Sequence, residues 1–449
     1  MDAGLPDCDV RSVAMTRFNE LEEPVEDGAV ISALGLAFRS FEQEGMYELF
    51  SRAREEEPVF FAPDIGYYVV TRRRDVLSVF QDTDRFSAAI ALNPMRPLPA
   101  EVCTFLREGR FTHQQIQANA ENPVHARVRA AAGRFLNMRR FYAMEPAIRE
   151  LVEQFASKLE GHREVDLVAE MTYELPARVI FLLLGIPDSD TAQIKRWADK
   201  RLMFTFGELT PEETMDAARD MLAYWHYCRE MVEARIENPI DDYASAMLAI
   251  RNGDDSILSL NEITGLVFGI LLAGHETTTT SSTNMIHAML THRQEWERVV
   301  ADPTLAGNAV EECLRFASSV VSWRRIARED VTIGGVTIPK GGHVLLSLGS
   351  ANRDEAHFTQ SETFDIARAN ARQHLSFGYG MHVCIGAPLA RVQMRVILEV
   401  LTRRFPRMEL VPGQDINWLR TLCFRGPTSL MIAPEGFPSA ARSGTRLVA

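Results

Sequence analysis

One cysteine of this chain stands in surroundings that favour a thiolate. It lies in the run Phe377-Gly378-Tyr379-Gly380-Met381-His382-Val383-Cys384-Ile385-Gly386-Ala387-Pro388-Leu389-Ala390. Gly378 and Gly380 let the backbone turn tightly and come close to a flat ligand, and Phe377 can shield one side of the sulfur. Pro388 is tolerated in a first helical turn, so Cys384 falls just before a helix N-terminus whose free N–H groups and dipole favour S⁻ over SH. A thiolate so placed is a ligand for iron.

A second group of reactive types is Leu271-Leu272-Ala273-Gly274-His275-Glu276-Thr277-Thr278-Thr279-Thr280. Glycine and so much β-branching weaken a helix. Ala273 and Gly274 leave room for a small ligand such as O2, and a local widening of the helix there can hold water. Cleaving a bound O–O bond needs protons at the distal oxygen and none early, a task for a hydroxyl that holds water and an acid that relays from solvent. Glu276 and Thr277 supply that pair. Taken alone, Glu276 reads rather as an exposed helix acid and Thr277 as a hydroxyl bonded to the preceding turn; joined to Cys384 the proton-delivery reading prevails. Thr278, Thr279 and Thr280 read as packing residues. His275 can face the pocket or a neighbouring helix.

The elements that must position these groups are mostly helical. The motif lies inside the longest helical candidate, roughly Ser259 to Leu290. Val124 to Leu136, Met144 to Leu159, Val165 to Leu184, Asp188 to Phe204 and Pro211 to Ile236 carry apolar positions at helical spacing between Pro, Gly or Asp breaks. Pro58 to Ala62 and Gly66 to Thr71 read as a hairpin, Val331 to Ile338 and Val344 to Leu348 as a second β region, and Ser429 to Ile432 as a last one. The fold class is α+β, mainly α with small β-sheets.

A chain of 449 residues with 46% hydrophobic and 24% charged residues has the composition of a soluble globular enzyme. No linker divides it, so a single catalytic domain over residues 1–449 is expected, with poorly packed extensions at 1–28 and 434–449. No apolar run reaches the length of a membrane span and the N-terminus lacks signal-peptide features, which points to the cytoplasm. Six scattered cysteines show no zinc-type spacing. The net charge of −13 argues against general nucleic-acid binding. Yet Pro123 to Met144 has no acid and carries Arg127, Arg129, Arg134, Arg139 and Arg140, either a solvated helix face or a docking patch for an acidic protein.

The pattern Phe-Gly-x-Gly-x-His-x-Cys-x-Gly-x-x-Leu-Ala fixes eight positions around Cys384 and resembles the haem-binding loop of the cytochrome P450 family. Ala273 to Thr277 resembles that family's Ala-Gly-x-(Asp/Glu)-Thr motif, and Glu312-Cys313-Leu314-Arg315 its Glu-x-x-Arg. The likeness extends over roughly Phe38 to Ala433. It implies a cytochrome P450 fold, haem b ligated by Cys384, O2 as co-substrate, and monooxygenation of a hydrophobic molecule by hydroxylation or dealkylation. It further implies electrons from NAD(P)H through a ferredoxin reductase and an iron–sulfur ferredoxin docking near Arg127, Arg134, Arg139 and Arg140. Haem contacts are implied at Ala273, Phe377, Gly378 and Gly386. For the two haem propionates it implies His125 and Arg129, His382, and Arg325 as the arginine before a short strand, with Arg324 an open alternative. Glu312, Arg315 and Arg368 would form a buried structural brace. Substrate contacts are implied at Leu92, Phe204, Leu272, Val321, Trp323 and Leu422. Val411-Pro412-Gly413-Gln414 and Phe424-Arg425-Gly426-Pro427 are similar to the haem portions of self-sufficient fused P450s, of which this chain would hold the haem part only. Two rival readings are an enzyme of the same fold driven by H2O2, against which Glu276 and Thr277 argue, and a haem-based ligand or gas binder.

Overall fold

The computed structural model describes residues 30–112 and 115–438. The first of the two expected extensions lies outside the described residues. At the other end packing continues further than expected: Pro434 is buried and the Phe437 N–H donates to Glu409 Oε2 at 3.0 Å.

The β content is three small sheets. The strands are β1 (Val59–Ala62), β2 (Tyr67–Val70), β3 (Phe86–Ser87), β4 (Val165–Asp166), β5 (Trp323–Ala327), β6 (Val331–Ile333), β7 (Val336–Ile338), β8 (His343–Leu346), β9 (Glu409–Leu410) and β10 (Met431–Ala433). The main sheet runs β1-β2-β8-β5-β3. β1 and β2 form the expected hairpin, with Phe60 opposite Val69 and Gly66 at φ 70° in the turn. The second β region splits: β6 and β7 pair as a separate hairpin, while β8 joins the main sheet parallel to β2 and antiparallel to β5. Val59, Val70, Phe80, Phe86 and Val344 pack a smaller core on this sheet.

The helices that position the site are α1 (Val124–Phe135), α2 (Leu175–Leu184), α3 (Thr191–Phe206), α4 (Pro211–Glu237), α5 (Leu260–Ala273), α6 (Glu276–Thr291), α7 (Ala306–Phe316) and α8 (Ala387–Arg404). They enclose the main core. α5 starts at Ser259, whose hydroxyl accepts from the Glu262 N–H while the Glu262 carboxylate accepts from the Ser259 N–H. Two helical expectations change. Val165 to Leu184 is not one helix: Val165 and Asp166 pair with Ile432 and Met431, a π turn follows over Val168–Thr172, and α2 begins only at Leu175. Strand pairing with a segment more than 260 positions away overrides the local helical pattern. The long helix expected over Ser259 to Leu290 is also two, α5 and α6, interrupted at Gly274 and His275.

Candidate active site

The loop before α8 carries Cys384. Gly378 and Gly380 both take φ 70°, and a Cβ on Gly380 would lie 3.1 Å from the Phe80 carbonyl oxygen, so the tight turn needs glycine. The Cys384 N–H donates to the Phe377 carbonyl at 2.9 Å. Phe377 is held from behind by the Arg391 guanidinium, 4.6 Å from its ring centre, and Arg391 is held in turn by Glu311 at 2.7 Å. The Cys384 side chain has uncovered surface, so its sulfur is open to a ligand. Burial pushes its thiol up, against the pull of the Gly386 and Ala387 N–H groups and of Arg129 and Arg391. The helix terminus therefore acts in the direction the sequence suggests but does not outweigh burial. A cation bound at the sulfur would complete the deprotonation.

α5 ends at Ala273, which is exposed to open space beside buried Leu272 and buried His275. Gly274 does not share that role, because a Cβ there would meet Ile180 Cδ1 at 2.6 Å. Its smallness serves the packing of α2 against the interruption, which corrects the expectation that it makes room for O2. The Thr277 hydroxyl donates to the Ala273 carbonyl at 2.9 Å, the turn-bonded alternative, and its oxygen keeps acceptor capacity toward the same space.

Glu276 is buried rather than exposed, and Lys195 Nζ on α3 donates to its Oε1 at 2.6 Å. His275 Nε2 lies 2.7 Å from the same oxygen without hydrogen-bond alignment, and its ring meets Phe181 of α2 edge-on. His275 thus packs toward a neighbouring helix. Burial pushes the Glu276 carboxyl up, but the Lys195 and His275 charges outweigh it and hold the group below its ordinary value. Lys195 Nζ also sits 3.9 Å from the Tyr173 ring centre, and the Tyr173 hydroxyl donates to Asp199 Oδ2 at 2.5 Å. Half-buried Asp199 is pushed up to about 6 by burial and by the Glu276 charge. Asp199, Tyr173, Lys195 and Glu276 form a polar file from the rim inward. Only Glu276 was legible beforehand. The i, i+4 spacing of Lys195 and Asp199 on an otherwise apolar helix face is the signal that could have drawn attention to the others.

On the thiolate side four donors meet. His125 and His382 have ring centres 4.5 Å apart, His382 Nδ1 lies 2.9 Å from the Gln117 carbonyl oxygen, and buried His125 Nε2 has no partner. Arg129 on α1 and Arg325 on β5 both lie close enough to lower His382 by their charge. Neither forms an ion pair among the described residues, and burial lowers both, Arg325 to about 10. Two buried or half-buried guanidiniums and an orphaned imidazole beside Cys384 make a set that fits the propionate groups of a haem. Arg325 precedes the short strand β6, as expected, and itself lies in β5. Successive strand residues face opposite sides, and Arg324 is spent on the Ala91 and Asn93 carbonyls at 2.9 and 2.7 Å. That geometry favours Arg325 over Arg324.

The brace residues meet as expected. Arg315 Nε and Nη2 each donate to Glu312 at 2.8 Å with neither side chain exposed, and Arg368 Nε reaches Glu312 Oε1 at 3.2 Å. Of the substrate set, Leu92, Phe204 and Leu272 line one cavity together with Phe111, Trp225 and Phe268. Val321, Trp323 and Leu422 do not. Trp323 packs on Phe206 at 6.0 Å, and the Val321 and Leu422 N–H groups are tied to the Cys423 and Phe206 carbonyls. The expected basic patch is partly neutralised: Arg127 pairs with Glu262 at 2.5 Å and Arg140 with Asp241 at 2.8 Å, while Arg134 and Arg139 remain exposed.

The cytochrome P450 family model matches residues 203–421. The mycinamicin IV hydroxylase/epoxidase of Micromonospora griseorubida is 34% identical over 85% of this chain and 94% of its own length. A structure of cytochrome P450 CREJ in complex with (4-ethylphenyl) dihydrogen phosphate is 37% identical, with a TM-score of 0.86 over 89% of this chain and 99% of that one. An intact type IV self-sufficient cytochrome P450 monooxygenase is 33% identical with a TM-score of 0.86, over 93% of this chain and 56% of that one. A cysteine loop before a helix, a set of basic side chains beside it that are unpaired among the described residues, and a match to the family model define the class as haem-thiolate monooxygenase. The chain belongs to the cytochrome P450 family, which uses haem b, O2 and electrons derived from NAD(P)H.

Proposed function

We propose that Cys384 is the axial ligand of haem b, that Arg129, Arg325, His125 and His382 hold its propionates, and that Glu276 and Thr277 deliver protons to oxygen bound beside Ala273. When bound, the haem supplies O2 activation and insertion of one oxygen atom into a C–H bond or double bond of an organic molecule. The chain's own contribution is placement and proton control. Ala273 leaves space, the Thr277 oxygen can hold a water by accepting a hydrogen bond from it, and Glu276 keeps its carboxylate on Lys195 until that contact opens. The cluster of His125, Arg129 and Arg325 around His382 beside Cys384, with no ion pair and an unpartnered His125 Nε2 among the described residues, carries the reading. The acid–alcohol pair supports an O2-driven enzyme over one driven by H2O2, and a gas binder would have no use for it.

The cavity's apolar and aromatic lining suits a hydrophobic substrate. For electrons, a separate iron–sulfur ferredoxin docking on Arg134 and Arg139 fits their exposure and their lack of acidic partners among the described residues, whereas Arg127 and Arg140 are held by intramolecular acids. No helix among the described residues is long and apolar enough to cross a membrane, which is compatible with a cytoplasmic enzyme.

The test is the absorption spectrum of reduced protein under CO. A Soret band at the long-wavelength position of thiolate ligation in the wild type, absent from Cys384→Ala, is expected. A histidine-like band that survives the substitution would overturn the assignment.

A further inference from the structure

Arg201 lies on α3 with its side chain in the wall of the cavity described above, and it is 6% exposed. Its Nη1 donates to the Phe268 carbonyl on α5, and its guanidinium carbon stands 3.6 Å from the Phe268 ring centre. No carboxylate of the described residues pairs with it. The ionisable neighbours that act on it are Tyr224 and Cys228, and burial pushes both of those up, so they are neutral. Burial lowers Arg201 only to about 10, which leaves it charged at neutral pH. Buried Arg315, by contrast, has Glu312, while Arg324 and Arg325, also buried without a paired acid among the described residues, are respectively held by two backbone carbonyls and placed on the thiolate side. A buried cation without a counter-charge is costly to the fold, and a face-on aromatic ring offsets part of that at most.

Two hydroxyls line the same cavity. Thr205 is one helical turn from Arg201 on α3, and buried Thr112 Oγ1 has no hydrogen-bond partner among the described residues. A guanidinium with free N–H groups and two free hydroxyls in an otherwise aromatic chamber make an anion seat.

We propose that the substrate carries an anionic head, a carboxylate or a phosphate, bound by Arg201 with Thr112 and Thr205, and an apolar body lying along Phe268 and Leu272. This rests on the monooxygenase reading, in which the reacting oxygen sits beside Ala273. Phe268 and Ala273 are five residues apart on α5, so the oxidised carbon falls on the order of 7 Å from the head, at the far end of a short chain or ring.

The test is calorimetric titration of the holoenzyme with 4-phenylbutanoate and 4-phenylbutyl phosphate against the neutral 4-phenylbutanamide and 4-phenylbutanol, with the haem spin-state shift followed in parallel. At least one anion is expected to bind about 10- to 100-fold more tightly than its neutral counterpart, and which one does tells carboxylate from phosphate. Arg201→Gln should remove the preference, and Arg201→Lys should keep part of it. Should the Gln variant fail to take up haem, Thr112→Val and Thr205→Val replace it, each weakening anion binding several-fold and leaving neutral binding unchanged. Equal binding of anions and neutral analogues, or an unchanged anion preference in the variants, overturns the proposal. The reduced-CO spectrum reads the haem–thiolate assignment independently, so a thiolate band without anion preference sinks this inference alone.

Discussion

Lys195 and Glu276, 81 positions apart in sequence, meet in the interior at 2.6 Å between Nζ and Oε1. The pair joins α3, which walls the apolar cavity, to the first turn of α6, which carries the proposed proton-delivery residues. In the proposed role Glu276 passes on no proton while Lys195 holds its carboxylate ionised, so that role requires the contact to open during turnover.

Glu276→Gln keeps the shape and removes the proton carrier. The expected result is a fall in kcat of about 10²-fold, with a larger solvent isotope effect and intact haem content. Lys195→Met frees the carboxylate and should shift the pH dependence of kcat upward, because Glu276 then titrates at a higher pH. A kcat profile that does not move in Lys195→Met would exclude control by the pair.

The two carboxylates of the polar file make opposite demands on pH. Asp199 is raised to about 6 from 3.8, so its contribution to stability is complete below pH 3.8 and is lost as pH rises through 6. Glu276 is depressed, so its contribution is present above 4.5 and is lost as pH falls below that value. Thermal melts should show Asp199→Asn more stable than the parent at pH 7.5, with the gap closing by pH 4. A gap that widens on acidification would contradict the raised value.

Glu312→Ala leaves Arg315 buried without its acid and removes an anchor of Arg368. Breaking such a pair destabilises by about 3–5 kcal/mol. Denaturant unfolding should register that loss, and haem content should fall before any change in the CO band of the remaining holoenzyme. A normal melting profile would remove the brace from the account.

At Gly274, substitution by Ala places a Cβ 2.6 Å from Ile180 Cδ1. Overpacking of this kind costs about 1–3 kcal/mol, enough to exceed the helix-propensity gain. Ile180→Val removes the clashing carbon and should restore part of the loss in the double variant. Equal stability of Gly274→Ala and the parent would return Gly274 to the ligand side of the helix.

Local chemistry made much of this legible in the residues alone. The thiolate loop, the acid–alcohol pair, the first hairpin and the mainly helical class follow from patterns confined to a few turns of chain, where residue type and spacing act directly, whereas the brace was implied only by the family resemblance. What the sequence did not determine depends on partners brought from afar. Acids from two distant segments neutralise Arg127 and Arg140, pairing with β10 cuts the helix expected at Val165, and Ile180 decides what Gly274 is for. Lys195 and Arg201 look alike as cations on one helix, and only the packed structure gives the first a carboxylate and leaves the second with none. Long-range Coulomb and packing terms depend on distance in space, which spacing along the chain does not encode.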